Sequence, residues 1–452
     1  MLVVGGTPAG IAAAVAAARR GDEVTLVSGA ADLGGTLTEA MMDQWDLNVA
    51  PSGVSIEGGL FSEMYARLGD VFTPQAAVRT FAEMVAGEPR IVVRYDERPL
   101  RVETESVTDG RRITAVTFAN VTSQVETTLA APLVVDATDC ADVAALAGAR
   151  YDVGRQDTGL DERMQAVTLM FTVADVDWHA LAATYDDERF GPGGVVNRRA
   201  WGYSDLLRAY RPLAPTVLVR DLNLGLLQDG SLTVNAIDVT GIDGLDPAEL
   251  ENARRLSEGE AYRLVAYLRS RLPGFERARV AGFAPAVYVR ETRHIAGLER
   301  LTAEDVWLGR VPVDSIGLAS YPIDLHPVDA TGGPAFAPVR HVYGIPFGTL
   351  VPAGLTNLVL AGPAISATHL ASGSARVIPT TIEEGEAAGT AAAFARQSGF
   401  DFVELATRPA LVARLRGDLV SAGVLLGRPA HPLIAHAFAN ASRRYAAFRN
   451  PT

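Results

Sequence analysis

Apolar positions in this chain gather into short runs that stop at glycine and give way to alanine-rich stretches, most clearly near its two ends. In the first such unit, Leu2 to Val4 predicts a buried strand and Gly5, Gly6 and Gly10 a tight turn. Ala9 to Arg20 follows as a helix whose small side chains let it lie close to a sheet, and Val24 to Val27 as the next parallel strand. That order is a βαβ unit. The second unit, Asn357 to Ala393, predicts a strand at Leu358 to Ala361, a close crossing at Gly362, and a small-residue helix entered through Pro379, Thr380 and Thr381. Glu383 and Glu384 are spaced there for an N-terminal capping box.

Between these units the pattern predicts a helix over Pro74 to Ala86 and strands at Ile91 to Tyr95 and Leu100 to Thr104. A hairpin-like pair follows at Ile113 to Phe118 and Val125 to Leu129, then a buried parallel strand at Leu133 to Val135. From about residue 150 to 345 the alternation loosens. Its recognisable pieces are a strand at Ala166 to Val173, a helix from Pro247 to Leu272 and a strand at Ala286 to Arg290. A helix over Arg408 to Ala422 and a polar tail close the chain.

Length and charge narrow the field. At 452 residues the chain exceeds a usual single domain, so two joined domains are expected. A hydrophobic share of 48% with 21% charged residues belongs to a folded chain, not a disordered one. The net charge of -13 argues against nucleic acid or an anionic membrane as partner, since both need basic patches. The single cysteine, Cys140, excludes an internal disulfide, a multi-cysteine zinc site and a redox pair, and points to a reducing cytoplasm. Met1 to Ala18 is apolar like a signal segment, but it lacks a basic start, is broken by glycines and Pro8, and is too short to span a bilayer. It reads as folded structure, and no membrane insertion is expected. Assembly into a homo-oligomer is compatible with the sequence.

A helix that starts at a glycine turn on a strand end offers free N–H groups and the positive end of its dipole to a phosphate. Two such starts, far apart in sequence, imply one long ligand held at both, and FAD is the ligand that fits. Gly5, Gly6, Pro8, Ala9 and Gly10 are then expected at its diphosphate, although Thr7 takes the place of the second glycine in GxGxxG. Ser28 ends the second parallel strand, where many dinucleotide folds place an acid on the ribose; losing a charged hydrogen bond costs about 1.5–3 kcal/mol. The second glycine turn, Gly34, Gly35 and Thr36, and the strand end at Ala137 and Thr138 are further candidate contacts. At the other end Gly362, Ser374, Ala375, Val377 and Thr380 are expected near the flavin ring. A helix N-terminus there favours the negative charge of reduced flavin by about 0.3–2 kcal/mol.

The segments VVGGTPAGIAAA, DLGGTLT, QAVTLMFTV, ETRHIAG and YPIDLH, and the run from NLVLAG through ISATH, GSARVIPT and GEAAGTAAA, resemble the FAD-dependent oxidoreductase family of the glutathione-reductase-like flavoproteins. The resemblance implies an α/β fold: a Rossmann-like FAD-binding domain with an inserted α+β substrate domain, and noncovalent FAD. The expected division is 1–150 and 346–400 for the FAD-binding domain, 151–345 for the substrate domain and 401–452 for a C-terminal helical segment. Two departures stand out: Asp139-Cys140-Ala141-Asp142, where relatives often carry a glycine–acid pair, and Pro363, where arginine is common.

A flavin dehydrogenase needs a base for the proton that leaves with the hydride. Candidates are His294, with Arg290 and Arg293 in RETRHI; His326, with Tyr321 in YPIDLH; and His369, with Ser372 and Arg376 in the late block. The arginines suit a substrate carboxylate. Each has a plainer reading: a histidine bonded to backbone, an arginine in a structural ion pair, a packed tyrosine. His179, His341, His431 and His436 have no supporting motif, and Cys140 reads as a small buried thiol. The expected activity is hydride transfer between a small organic molecule and flavin N5, with the electron acceptor open; a flavin monooxygenase and a redox-inert flavin-binding protein are the alternatives.

Overall fold

Five short parallel strands form the central sheet in the order Leu358–Leu360, Val134–Asp136, Leu2–Val4, Val24–Val27 and Ile91–Arg94. They are seen in a computed structural model that describes residues 1–130, 132–184, 188–333 and 335–427. Leu2 pairs with Thr25 on one side and Val134 on the other, and Leu358 pairs with Val134, so the two glycine-rich units flank one shared strand. Apart from Thr25 and Asp136 the three central strands are apolar and buried, as helices on both faces of a parallel sheet allow. This is the Rossmann-like arrangement.

The opening helix, Pro8–Arg19, starts on a proline, whose missing N–H costs nothing at that position, and is capped by Thr7, whose hydroxyl accepts from Gly10 N. The long late helix, Ile378–Ser398, lies directly against it. A Cβ on Gly385 would sit 2.1 Å from the Ala9 carbonyl oxygen, and one on Gly389 2.1 Å from that of Ala13. Glycine at four-residue spacing is therefore what lets the two backbones touch. The capping box expected at Glu383 and Glu384 is not formed. The helix begins at Ile378, so both glutamates lie beyond its first turn, where their side chains accept from the backbone N–H groups of Gly58 and Gly362.

The middle of the chain builds an antiparallel six-stranded sheet in the order Gly193–Val196, Arg199–Gly202, Leu222–Leu226, Leu232–Asn235, Phe171–Ala174 and Arg279–Phe283. The helix Pro247–Arg269 packs Ala253, Ala261, Leu264 and Leu268 into the same core. The single strand expected over Ala166 to Val173 is two pieces. Val167–Thr168 pairs with Asp238–Val239, while Phe171–Ala174 pairs with the large sheet, so the chain changes partners between them. Ala286 to Arg290 is not a strand: only Tyr288 bridges to Thr168, and Pro285 just before has no N–H for a ladder.

The expected hairpin is present within longer strands, Glu97–Val107, Gly110–Asn120 and Glu126–Ala130. The helices Gly59–Leu68, His369–Ala375 and Phe402–Thr407 carry no clear sequence signal, while the helix expected over Arg408 to Ala422 is present as Pro409–Ser421. The polar tail, with His431 and His436, lies outside the described residues. No described helix is long and apolar enough to cross a membrane.

Candidate functional site

Two features stand at the C-terminal edge of the parallel sheet and beyond it: a glycine-built crevice and a cavity. The crevice forms where the first strand ends at Gly5, whose φ of +116° only glycine adopts freely and whose Cβ would meet the Ala137 carbonyl oxygen at 2.2 Å. Gly10 passes so close to Gly5 that a Cβ would be 1.9 Å from its oxygen. The second turn is tied to the first, Gly34 N donating to Gly6 O at 2.7 Å. Gly35, Thr36, Thr138, Asp139 and Pro363 keep partial solvent contact amid buried neighbours. They mark an open crevice along the strand ends.

These observations fit a dinucleotide. Thr7 caps the opening helix at Gly10 N, and the positive dipole end of that helix faces the glycine turn. Gly362, with φ +121°, has open space where a Cβ would point, and no side chain caps the late helix after Val377. Ser28 is occupied below the turn, accepting from Ala30 N at 3.2 Å and donating to Asp32 O at 3.3 Å. The Ser374 hydroxyl donates to Tyr321 O at 2.5 Å, and that of Thr380 accepts from Asn48 Nδ2 at 3.0 Å. These three hydroxyls serve the protein, leaving backbone as the contact Ser374, Ala375, Val377 and Thr380 offer a ring.

The cavity has a volume of about 620 Å³ and lies between the loop Met42–Pro51, the six-stranded sheet and the segment Ser320–His326. Trp201, Tyr288, Tyr321 and Phe336 give it aromatic walls, and Arg199, Arg220, Arg290, Arg340 and Arg376 a cationic lining, against Asp46, Asp221, Asp238 and Asp324. Its most ordered part is a histidine–carboxylate pair. Nδ1 of His326 lies 2.9 Å from Oδ2 of Asp238, and Asp238 also accepts from the Thr168 hydroxyl at 2.9 Å. Arg290 stands behind, 3.5 Å from Asp238, donating to Ala166 O at 2.7 Å and to Thr168 Oγ1 at 2.9 Å. Burial alone would raise the Asp238 carboxyl, but His326 and Arg290 hold it well below the usual carboxylate range.

Opposite, Arg376 donates to Tyr288 Oη at 3.0 Å and to Asp324 O at 3.1 Å. Tyr321 faces Asp46, and burial, then the charges of Asp46 and Asp324, push its phenol well above the ordinary value. Asn48 holds this wall in place, accepting from the backbone N–H groups of Ser320 and Tyr321 at 2.9 and 3.0 Å.

Of the expected catalytic residues, Arg290 and His326 meet on this cavity. His294 and His369 meet elsewhere, on a buried carboxylate outside its lining. His294 Nε2 and His369 Nδ1 lie 2.9 and 2.7 Å from the same oxygen of Glu291, whose other oxygen accepts from Gln165 N at 3.1 Å. Burial would raise Glu291, yet the two histidines hold it down to about 2. Gln165 joins the two centres, its side-chain oxygen accepting from His326 N at 3.0 Å. Arg293 binds Cys140 O and Asp142 rather than the cavity. His179 and His341 are exposed away from both. Cys140 has its thiol pushed up to about 12, by enclosure and then by Asp142, so it is unreactive at neutral pH.

Asp238, Asp46 and Glu291 were not singled out from sequence. Asp238 is 88 residues from His326, and no spacing rule joins them. Glu291 sits inside the ETRHIAG motif, three residues before His294, which was its one visible signal. No group of three or more His, Cys, Asp or Glu among the described residues is arranged to hold a metal.

A family profile described as FAD dependent oxidoreductase matches residues 1–419. A search of curated protein sequences found no match. Among solved structures the chain is similar to p-nitrophenol 4-monooxygenase PnpA from Pseudomonas putida DLL-E4, at 12% identity over 99% of this chain and 93% of that one, with a TM-score of 0.43. It is similar also to P. aeruginosa PqsL in complex with 2-aminobenzoylacetate, at 15% identity over 99% and 98%, TM-score 0.43. A third is the flavin-dependent brominase Bmp2, at 10% identity over 91% and 82%, TM-score 0.43.

Proposed function

The chain belongs to the FAD dependent oxidoreductase family, and from that premise we propose that it oxidises a small organic molecule bound in the 620 Å³ cavity, with His326 receiving the proton. It is an FAD-dependent oxidoreductase, and its cofactor is FAD. When bound, FAD supplies the acceptor for the hydride. Gly5, Gly6, Gly10, Gly34 and Gly35 would hold its diphosphate, and the backbone from Gly362 to Thr380 its ring.

The observation that carries the reading is the His326–Asp238 pair on the cavity wall. A histidine whose Nδ1–H is given to a carboxylate turns Nε2 toward a ligand, here with Asp324 Oδ2 3.7 Å away, and the charged partner stabilises the imidazolium once the proton arrives. Arg290 and Thr168 keep Asp238 ionised and fix its angle. The arginines of the wall suit a substrate with an acidic group, notable in a chain whose net charge is -13. The aromatic side chains exclude water and hold an apolar body.

The test is anaerobic mixing of the holoenzyme with a panel of hydroxy acids, alcohols and amines, following the flavin's visible absorbance. The wild type bleaches with at least one acidic member, and His326→Gln keeps its FAD but bleaches about 10²–10⁴-fold more slowly. Bleaching of His326→Gln at the wild-type rate would remove His326 from the chemistry.

A further inference from the structure

The crevice at the glycine turns carries an acid where a dinucleotide brings negative charge. Asp139 follows the strand Val134–Asp136, one residue beyond Thr138, whose N would lie 2.8 Å from a Cβ on Gly5, and it stands beside Thr36 on the facing turn. Thr36 adjoins Gly35, and Gly35 stands against Thr7, the cap of the opening helix, where a Cβ would be 3.2 Å from the Thr7 Cα. Asp139 is thus one side chain away from the helix end suited to a diphosphate. It keeps partial solvent contact, as a group lining that crevice does.

Among the described residues no cation offsets it. Arg293, which reaches this loop, is held by Cys140 O at 2.7 Å and by Asp142 at 2.8 Å. The neighbouring Cys140 thiol is uncharged, and the other charge facing Asp139 is a second acid, Asp142. Asp136, behind, is turned inward onto Thr138 and Ala144 N.

We propose that Asp139 sets the affinity of this enzyme for FAD: its carboxylate opposes the diphosphate, and the dinucleotide binds with uptake of one proton from solvent by that carboxyl. The inference goes beyond the assigned activity and rests on the diphosphate lying at the glycine turns. Its surroundings agree, for enclosure and then Asp142 already push the Asp139 carboxyl up to about 6 without a ligand, and two phosphate charges raise it further.

The experiment dilutes holoenzyme in series at several pH values and reads released FAD by its fluorescence, independently of turnover. In the wild type the Kd for FAD rises by about tenfold per pH unit between about pH 7 and 8.5. Asp139→Asn binds about tenfold or more tightly at pH 8 and loses most of that dependence. Calorimetry in buffers of different ionisation heat shows uptake of about one proton at pH 8 in the wild type and none in the variant. A Kd independent of pH in the wild type overturns the proposal. So does weaker binding by Asp139→Asn, which would mean that the carboxylate accepts a hydrogen bond from the ligand. Gly35→Val separates the two assumptions. If it weakens binding while Asp139→Asn changes nothing, the cradle stands and the role of Asp139 falls; if neither variant alters binding, the diphosphate lies elsewhere and both fall.

Discussion

The cavity wall and the packed interior behind it use the same chemical parts to different ends. On the wall, His326 shares Asp238 and keeps about a quarter of its side chain exposed, at 23%; behind it, His294 and His369 share Glu291, with side-chain exposures of 1%, 7% and 0%. Two backbone-to-side-chain hydrogen bonds through Gln165 join them. A histidine–carboxylate contact is therefore no guide to role by itself. Access decides: a group that exchanges a proton with a ligand needs one nitrogen open to a cavity, whereas two histidines closed on one carboxylate hold elements of the fold together.

Substitutions can break that distinction. Asp238→Asn leaves the imidazole in place but removes the charge that orients it, so flavin reduction by substrate slows by about 10²–10⁴-fold with FAD content unchanged. Stopped-flow absorbance checks this, and an unchanged rate would make the wall no more chemical than the interior. Glu291→Gln strips a buried charge shared by two histidines and costs about 3–5 kcal/mol in denaturant unfolding.

The same carboxylate sharpens the contrast through acidity. Its value is lowered in the fold to about 2 from the ordinary 4.5, so its contribution is fully present above about pH 4.5 and is lost as pH falls toward 2. Acid unfolding of the wild type is accordingly steeper in that window than that of Glu291→Gln.

The interior is also held by shape. Gly389→Ala forces a Cβ to 2.1 Å from the Ala13 oxygen and destabilises by about 1–3 kcal/mol. Gly417→Ala, in the outer helix Pro409–Ser421 with nothing near its Cβ, changes stability the other way, by about 0.4–1 kcal/mol. Equal penalties at the two sites would show that the close seam contributes nothing.

The glycine turns were legible in the sequence because their demands are local. A positive φ at Gly5 and Gly34, a proline at the first helical position and small residues every fourth place are each visible within a few neighbours. The cavity was legible only in part. His326 and Arg290 stood in recognisable motifs, but Asp238, which gives the histidine its direction, comes from a separate strand, and the wall is assembled by tertiary pairing alone. The misplaced capping box at Glu383 has a similar cause: the pattern of a helix start was present, but the helix begins earlier, and the glutamates are drawn inward by the N–H groups of Gly58 and Gly362.

The contact of Gly385 with Ala9 and of Gly389 with Ala13 works as an interlock. Inserting one residue between the two glycines would rotate the following turns by about 100° and bring side chains onto carbonyl oxygens that tolerate none. The seam therefore fixes how far apart the opening and late helices present their N-terminal ends, acting as a built-in ruler between them.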